Sequence, residues 1–403
     1  MISTDIVIVG GGSVGLTTAL GLANTGFTVT VIDNSAAETI LSSPETRVSA
    51  LSPASEAILR NLEVWQHLDC TRLTPYSDMD VWEKDSFGRI NFNAEQVSEP
   101  RLGHIIENAN IRNALINTAQ QHHKITLLFE TKYQTIHNSD EHVLVTLENG
   151  APILAKLLIA ADGANSNIRK LLKLPITFSD YDHHAIVATI KTTEPHTHCA
   201  RQVFLPEGPL ALLPLYNSNL CSIVWSTSPE NAEKLMADND EQFSRALTAA
   251  TDSVLGPVSL HSKRQSFPLT MRYANQWLDK RVVLVGDAAH TIHPLAGLGM
   301  NLGLLDAASL LQQLQSVDVA NLPEMTQQLR SYERWRKAEA QQVILAMQSL
   351  KSLFEGNNPI KKLIRTAGLS MTNSMPMVKH EIILNAMGMK GNLPTLAVPV
   401  EII

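Results

Sequence analysis

The sequence predicts an α/β protein. A discontinuous parallel-sheet domain carries an inserted, mainly antiparallel β-sheet domain, and the chain ends in a helical C-terminal region. Three observations predict this. The chain opens with a β-branched run, a glycine-rich turn and a small-residue helical stretch, in βαβ order. Two later stretches, near residues 76–100 and 181–267, alternate short apolar runs with turns. From Pro323 onward the pattern is helical. At 403 residues the chain also exceeds the ~250–300 at which one core stops growing, so more than one domain is expected.

Each element follows from its residues. Ile6-Val-Ile-Val9 is an unbroken β-branched run, as in a parallel strand buried on both faces. Gly10-Gly-Gly-Ser-Val-Gly15 follows, then a helix from Leu16 to Thr25 that Gly26 stops, then the strand Thr28–Ile32 ending at Asp33. A helix is expected over Pro53–Leu62, strands around Asp80–Glu83 and Gly88–Phe92, and a helix over Ile105–Ala119. Leu144–Leu147 and Ala155–Ile159, flanking Asn149-Gly150, predict a hairpin. The stretch Tyr181–Phe267 reads as mostly β, Arg281–Val285 as a buried strand and Asn301–Gln315 as a helix. These segments divide the chain into a discontinuous domain of residues 1–75, 101–180 and 268–320, a β-sheet domain of 76–100 and 181–267, and a helical region of 321–403.

Composition excludes several function classes. With 44% hydrophobic residues, and 32 Lys+Arg against 39 Asp+Glu for a formal charge of −7, the chain is neither disordered nor a basic nucleic-acid binder. Cys70, Cys199 and Cys221 are too scattered for a disulfide framework or a CxxC metal site, which suits a reducing, cytoplasmic compartment. The His pairs at 122–123 and 183–184 lack a partner at metal-ligand spacing, so no metal is expected. No segment has the ~18–20 apolar residues that cross a bilayer, and the N-terminal run has no cationic flank of a signal peptide.

Gly10-x-Gly12-x-x-Gly15 stands in the context its chemistry needs, after a strand and at a helix start. The first glycine permits the tight turn, the second lets a pyrophosphate approach the backbone, and the third allows close helix–strand packing. Asp33, at the end of the second strand, offers an acceptor for an adenosine ribose hydroxyl. A dinucleotide is therefore expected. Two distal segments specify which one. Asp162-Gly163, running on to Arg169, and Gly286-Asp287, running on through His290, Pro294, Gly297, Gly299, Met300 and Asn301, each follow a strand. A carboxylate there suits a sugar-alcohol chain, and glycine-rich backbone can lie against a flat ring and donate N–H groups to it.

In this order and spacing the three motifs resemble those of the FAD-dependent aromatic hydroxylases of the para-hydroxybenzoate hydroxylase type, over about residues 1–320. The resemblance implies a Rossmann-like FAD-binding domain. It gives Asp162 and Gly163 contacts to FAD and reductant, Asp287 the ribityl chain, and Pro294–Asn301 the isoalloxazine. It places Arg47 near the flavin and its diphosphate, and Arg112 as a further FAD contact. The stretches Val81–Gly88, Leu102–Asn108 and Tyr181–Ala188 are similar to those of the ubiquinone-biosynthesis hydroxylases, the bacterial 2-polyprenylphenol hydroxylases in particular. Two positions depart from that pattern: Asp33 where glutamate is common, and Leu298 where glutamine is frequent.

The resemblance implies a monooxygenase. NAD(P)H reduces FAD, reduced flavin captures O2 as a C4a-hydroperoxide, and that species hydroxylates a polyprenylated phenol. The chain needs to supply orientation and dryness rather than a nucleophile. His290 and His293 are candidates for a base that draws the phenol proton, and Phe204, Leu212, Pro214, Trp225 and Phe267 for the lining. A single GxGxxG leaves NAD(P)H to a groove or electrons to a partner. From Lys351 to Lys390 there are six Lys/Arg against two Glu, with Met371, Met375, Met377, Met387 and Met389 among them. Such an end suits peripheral contact with the inner face of a membrane, a quinone-synthesis complex or an ordinary packed cap. Two further readings stand beside this one. One is another flavin reaction, although tryptophans at 65, 82, 225, 277 and 335 form no Trp-x-Trp halogenase signature. The other is a flavoprotein serving chiefly as scaffold or lipid-presenting subunit. A non-quinone aromatic substrate also remains open.

Overall fold

Ile6, Val7 and Ile8 are wholly buried in the strand Ile2–Val9, which is why that run shows no alternation of polar and apolar residues. The strand lies inside an eight-stranded sheet of a computed structural model that describes residues 1–37, 46–292, 298–354 and 359–399. Val29–Ile32 and Pro152–Ala160 flank it in parallel, and Ile125–Leu128 and Val282–Leu284 continue the parallel run outward. The hairpin forms as its sequence predicts: Val143–Leu147 pairs antiparallel with Pro152–Ala160, and Gly150 takes the positive φ of +82° that its turn requires. The helices Ser13–Asn24 and Leu298–Leu314 cover the sheet and lie close together. A Cβ at Gly21 would stand 2.2 Å from Leu311 Cδ1, and one at Gly303 2.7 Å from Val14 Cγ2.

A second, nine-stranded sheet is mainly antiparallel. Its order is His290–Thr291, Gln265–Ala274, Ile176–Thr192, Leu220–Thr227, Gly208–Pro214, Cys199–Leu205, Asp78–Glu83 and Arg89–Asn93, with Val258–Leu260 on the side. Its spine is the 17-residue strand Ile176–Thr192, whose register shifts between Asp180 and His183. The divisions read at 180/181 and 267/268 fall inside Ile176–Thr192 and Gln265–Ala274. These strands keep their pairing as they pass from one layer to the other.

Two segments differ from expectation. Ile105–Glu107 is strand, not helix: Gly103–Glu107 is the middle of a three-stranded sheet between Val48–Leu51 and Thr74–Tyr76, and the helix starts only at Asn108. Two adjacent β-branched isoleucines favour the pleated surface there. The stretch read as mostly β also holds the helices Pro229–Ala237 and Asp240–Ala250, capped by Ser228 and Asn239. Phe243 and Leu247 pack their buried face onto the sheet, so Leu212 and Trp225 belong to that far-side core and not to an open lining.

The C-terminal helices Leu322–Phe354, Pro359–Asn373 and Pro376–Ala386 wrap both sheets. Much of the charge of this region is engaged by the protein itself. Arg365 is buried against Glu83 (2.6 Å), Lys351 donates to the Tyr181 carbonyl, Lys361 to that of Ser352 and Lys379 to Asn373 Oδ1, while Lys390 pairs with Glu381. Phe354 stacks on Phe204 with centroids 3.9 Å apart. Met371, Met375 and Met377 stay exposed. Among the described residues no helix is long and apolar enough to cross a membrane.

Candidate functional site

The turn after the first strand is fixed by sterics. Gly10 adopts φ +114°, and a Cβ on it would stand 2.2 Å from the Ala161 carbonyl oxygen. A Cβ on Gly15 would stand 2.0 Å from the Gly10 carbonyl oxygen. A Cβ on Gly12 would meet nothing within 4 Å. Gly12 is also the N-cap of Ser13–Asn24 and offers no side-chain cap, so the helix presents unpaired N–H groups to that open space. This is a cradle for an anion such as a diphosphate.

Asp33 stands beside it. Gly11 N–H donates to its Oδ2, and the Ser35 amide to its Oδ1 at 2.7 Å. The Ser35 hydroxyl also donates to Oδ1, which leaves Oδ2 with a lone pair for a ribose hydroxyl. Arg112 does not point at open space. Its guanidinium donates to the carbonyls of Gly11 (3.0 Å), Ala36 and Ala37 (both 2.9 Å), and so clamps the glycine turn to the segment after Asp33.

The second motif abuts the first through the contact of Gly10 with Ala161 and Asp162 backbone. Asp162 Oδ2 accepts from Asn167 and Ile168 N–H at 2.8 and 3.2 Å, while its Oδ1 is buried without a partner. Burial, with the Asp162 charge nearby, pushes the Tyr133 phenol up to about 12. Gly163 (φ +79°) faces open space. Arg169, itself buried, joins this loop to the third motif by donating to the carbonyls of Ala164 (2.8 Å) and Ala288 (2.7 Å).

The third motif forms a turn, Gly286–Ala288, between the strands Val282–Leu284 and His290–Thr291. Asp287 is its one exposed member, flanked on both sides by buried residues and crowded by protein atoms. That desolvation pushes its carboxyl up; His290 opposes the shift, Asp306 adds to it, and Arg47 opposes it. Among the described residues, no donor reaches its carboxylate. Arg47 lies 5.4 Å over the exposed ring of Phe267, so Phe267 is the lining candidate that stands beside the cleft.

His290 is not an available base. It is buried, its Nε2 meets Asp306 Oδ2 at 2.5 Å, and its ring packs on Trp277. Asn301 likewise serves backbone: its amide donates to Ala50 O at 2.8 Å and accepts from Ser52 N at 2.9 Å. Met300 packs against the core cluster of Leu16, Leu20 and Leu304, and Gly299 meets open space. His293, Pro294 and Gly297 lie outside the described residues. Sequence reasoning passed over Asp306 and Arg336, both buried and paired at 2.7 Å. A lone acid in the apolar run Leu302–Leu311 was the available signal.

The residues present fit a dinucleotide. Two glycines admit no side chain, a third opens to space beside unpaired N–H groups, and Asp162 Oδ1 is an orphaned acceptor at the next loop. Comparison with known proteins agrees. The family described as "FAD binding domain" matches residues 3–346. The chain is 34% identical to the 3-demethoxyubiquinol 3-hydroxylase of Escherichia coli, over 96% of this chain and 99% of that one. It is 34% identical to the mitochondrial ubiquinone biosynthesis monooxygenase COQ6 of Danio rerio, over 94% and 88%. Among solved structures, PqsL of Pseudomonas aeruginosa, a probable FAD-dependent monooxygenase, superposes with a TM-score of 0.76 at 21% identity, covering 92% of this chain and all of that one.

Proposed function

The chain belongs to this FAD-binding family, together with the ubiquinone-biosynthesis hydroxylases that it matches, and on that premise we propose that it hydroxylates the ring of a polyprenylated phenol in ubiquinone biosynthesis. The observation that carries the reading is the meeting of three separated motifs at one cleft, joined by Arg169 and by the contact of Gly10 with Ala161. FAD, when bound, supplies the oxygen-transfer chemistry, with NAD(P)H as reductant and O2 as co-substrate.

The chain's own residues bind, orient and shield. Gly10, Gly12 and Gly15, with the N-terminus of Ser13–Asn24, hold the diphosphate. Asp33 takes the adenosine ribose, and Asp287 the ribityl hydroxyls. Arg47 would place positive charge near the flavin and its diphosphate, Arg112 keeps the glycine turn in place, and Asp162-Gly163 would meet FAD and the reductant. The antiparallel sheet, with Phe267 at its cleft edge, walls off water from the reacting ring. No protein nucleophile is required. The substrate dissolves in lipid, which favours work at the inner face of a membrane or within a quinone-synthesis complex. The exposed Met371, Met375 and Met377 support that placement.

Deleting the gene and analysing lipid extracts by mass spectrometry tests the reading. The expected result is a prenylphenol one oxygen short of the next quinone precursor, restored by the wild type and not by Asp287→Ala. An unchanged quinone profile overturns the pathway assignment, and restoration by Asp287→Ala favours a scaffold.

A further inference from the structure

Three side chains from distant parts of the chain meet behind the third motif, and none of them lines the cleft. Asp306 comes from the helix Leu298–Leu314, Arg336 from the helix Leu322–Phe354, and His290 closes the motif turn. All three are buried, Asp306 completely. Asp306 Oδ2 accepts from His290 Nε2 at 2.5 Å and from the Gly286 amide at 3.3 Å, while its Oδ1 accepts from Arg336 Nε at 2.7 Å. One carboxylate thus grips both ends of the segment 286–290, whose exposed side chain is Asp287.

The remaining supports point the same way. Arg169 holds the Ala288 carbonyl from the other side, so the backbone around Asp287 is pinned at three points. Trp277 packs on the His290 ring, whereas Tyr332, one turn before Arg336, donates its hydroxyl outside the segment, to the Leu284 carbonyl at 3.1 Å. A wholly buried carboxylate carries a desolvation cost of several kcal/mol unless it is paired on both sides. Burial pushes the Asp306 carboxyl up, but His290 and Arg336 more than offset it, so the group is held ionised. Without Arg336 the charge would lean on His290 alone, and the grip on Gly286 N–H would loosen.

We propose that Arg336 is a positioning residue for the flavin site: through Asp306 it fixes the segment 286–290, and with it the place of the Asp287 carboxylate. A residue of the C-terminal helical region, far from any nucleotide motif, thereby sets the geometry on which the ribityl chain rests. The inference rests on the flavin reading above.

The test uses the full chain, as wild type, Arg336→Met, Arg336→Lys and Tyr332→Phe. Each is stripped of flavin and titrated with FAD, and the visible spectrum and midpoint potential of the bound flavin are recorded. Arg336→Met is expected to bind FAD about tenfold more weakly and to shift both the band shape and the potential, and Arg336→Lys to recover most of the loss. Tyr332→Phe perturbs the same helix without touching Asp306. It is expected to lower the melting temperature while FAD affinity stays within about twofold. Wild-type affinity and spectrum in Arg336→Met overturn the proposal, as does equal loosening by Tyr332→Phe. Should Arg336→Met fail to fold, Asp306→Asn replaces it, with the same loosening expected and unchanged affinity overturning the inference. A wild-type chain that takes up no FAD sinks the flavin reading itself, a result distinct from failure of the Arg336 role alone.

Discussion

The turn Gly10–Gly15 and the turn Gly286–His290 face one cleft, yet they are held by different physics. In the first, backbone sterics set the shape and Asp33 and Arg112 only brace it. Gly10 and Gly15 are glycine because a Cβ would enter a carbonyl oxygen at 2.2 and 2.0 Å, and both of those collisions lie within the βαβ unit or its sheet neighbour. In the second, the turn is held by a buried charge cluster assembled from residues 16 and 30 positions apart. A sterically fixed turn cannot relax by moving a side chain. A charge-fixed turn depends on the C-terminal helix arriving and on the protonation of one carboxylate.

The largest effect that can break this comparison is Gly15→Ala. The collision with Gly10 O is with backbone and cannot be relieved by a rotamer, so a loss of about 4 kcal/mol or more in urea unfolding is expected, with no FAD uptake. Asp306→Asn comes next. It leaves Arg336 buried without a counter-charge, and should cost about 3 kcal/mol in the same assay at neutral pH. The pH profile sharpens the point. The Asp306 carboxyl sits below its ordinary value of 3.8, so its contribution is complete above that pH and fades as pH falls below it towards the lowered folded-state value. The gap between wild type and Asp306→Asn should therefore shrink in acid; a constant gap would show that charge is not what holds the turn.

Gly12→Ala separates sterics from ligand. Its Cβ meets nothing within 4 Å, so stability should change by less than about 1 kcal/mol, while FAD affinity falls because the methyl occupies the diphosphate's approach. The smallest stability change is expected from Asp287→Asn. Its carboxyl is pushed up in the fold, so the folded state holds its proton longer and loses stability as pH rises past the ordinary carboxylate range. The variant should be slightly more stable than wild type at neutral pH, at the expense of flavin affinity. A less stable variant would mean that Asp287 is paired in the unliganded chain.

This contrast also marks what the sequence could tell. The glycine turn, Asp33 and the Asn149-Gly150 hairpin were legible because their causes are local: a steric limit or a turn type acts within a few residues. Ile105 and Ile106 were misread because a two-residue β-branched signal was outweighed by the helical period after Asn108, and pairing with Val48–Leu51 settles the matter only in three dimensions. The cations after Lys351 could be counted but not placed. Only burial and partners show that Arg365 and Lys379 pack inside. Asp306 and Arg336 lie 30 positions apart, and nothing along the chain announces that they meet at His290.

The continuous strands Ile176–Thr192 and Gln265–Ala274 have a consequence for anyone building chimaeras of this enzyme. The two run side by side for most of their length, and His290–Thr291 pairs onto Gln265–Ala274. A graft seamed at residues 180 and 267 would cut both members of a paired couple and import a foreign register into the ladder beside the third motif. Seams in the loops beyond Thr192 and before Val258 exchange the outer strands and the helices Pro229–Ala250 while leaving that couple whole. The ladder beside the third motif would then keep its own register.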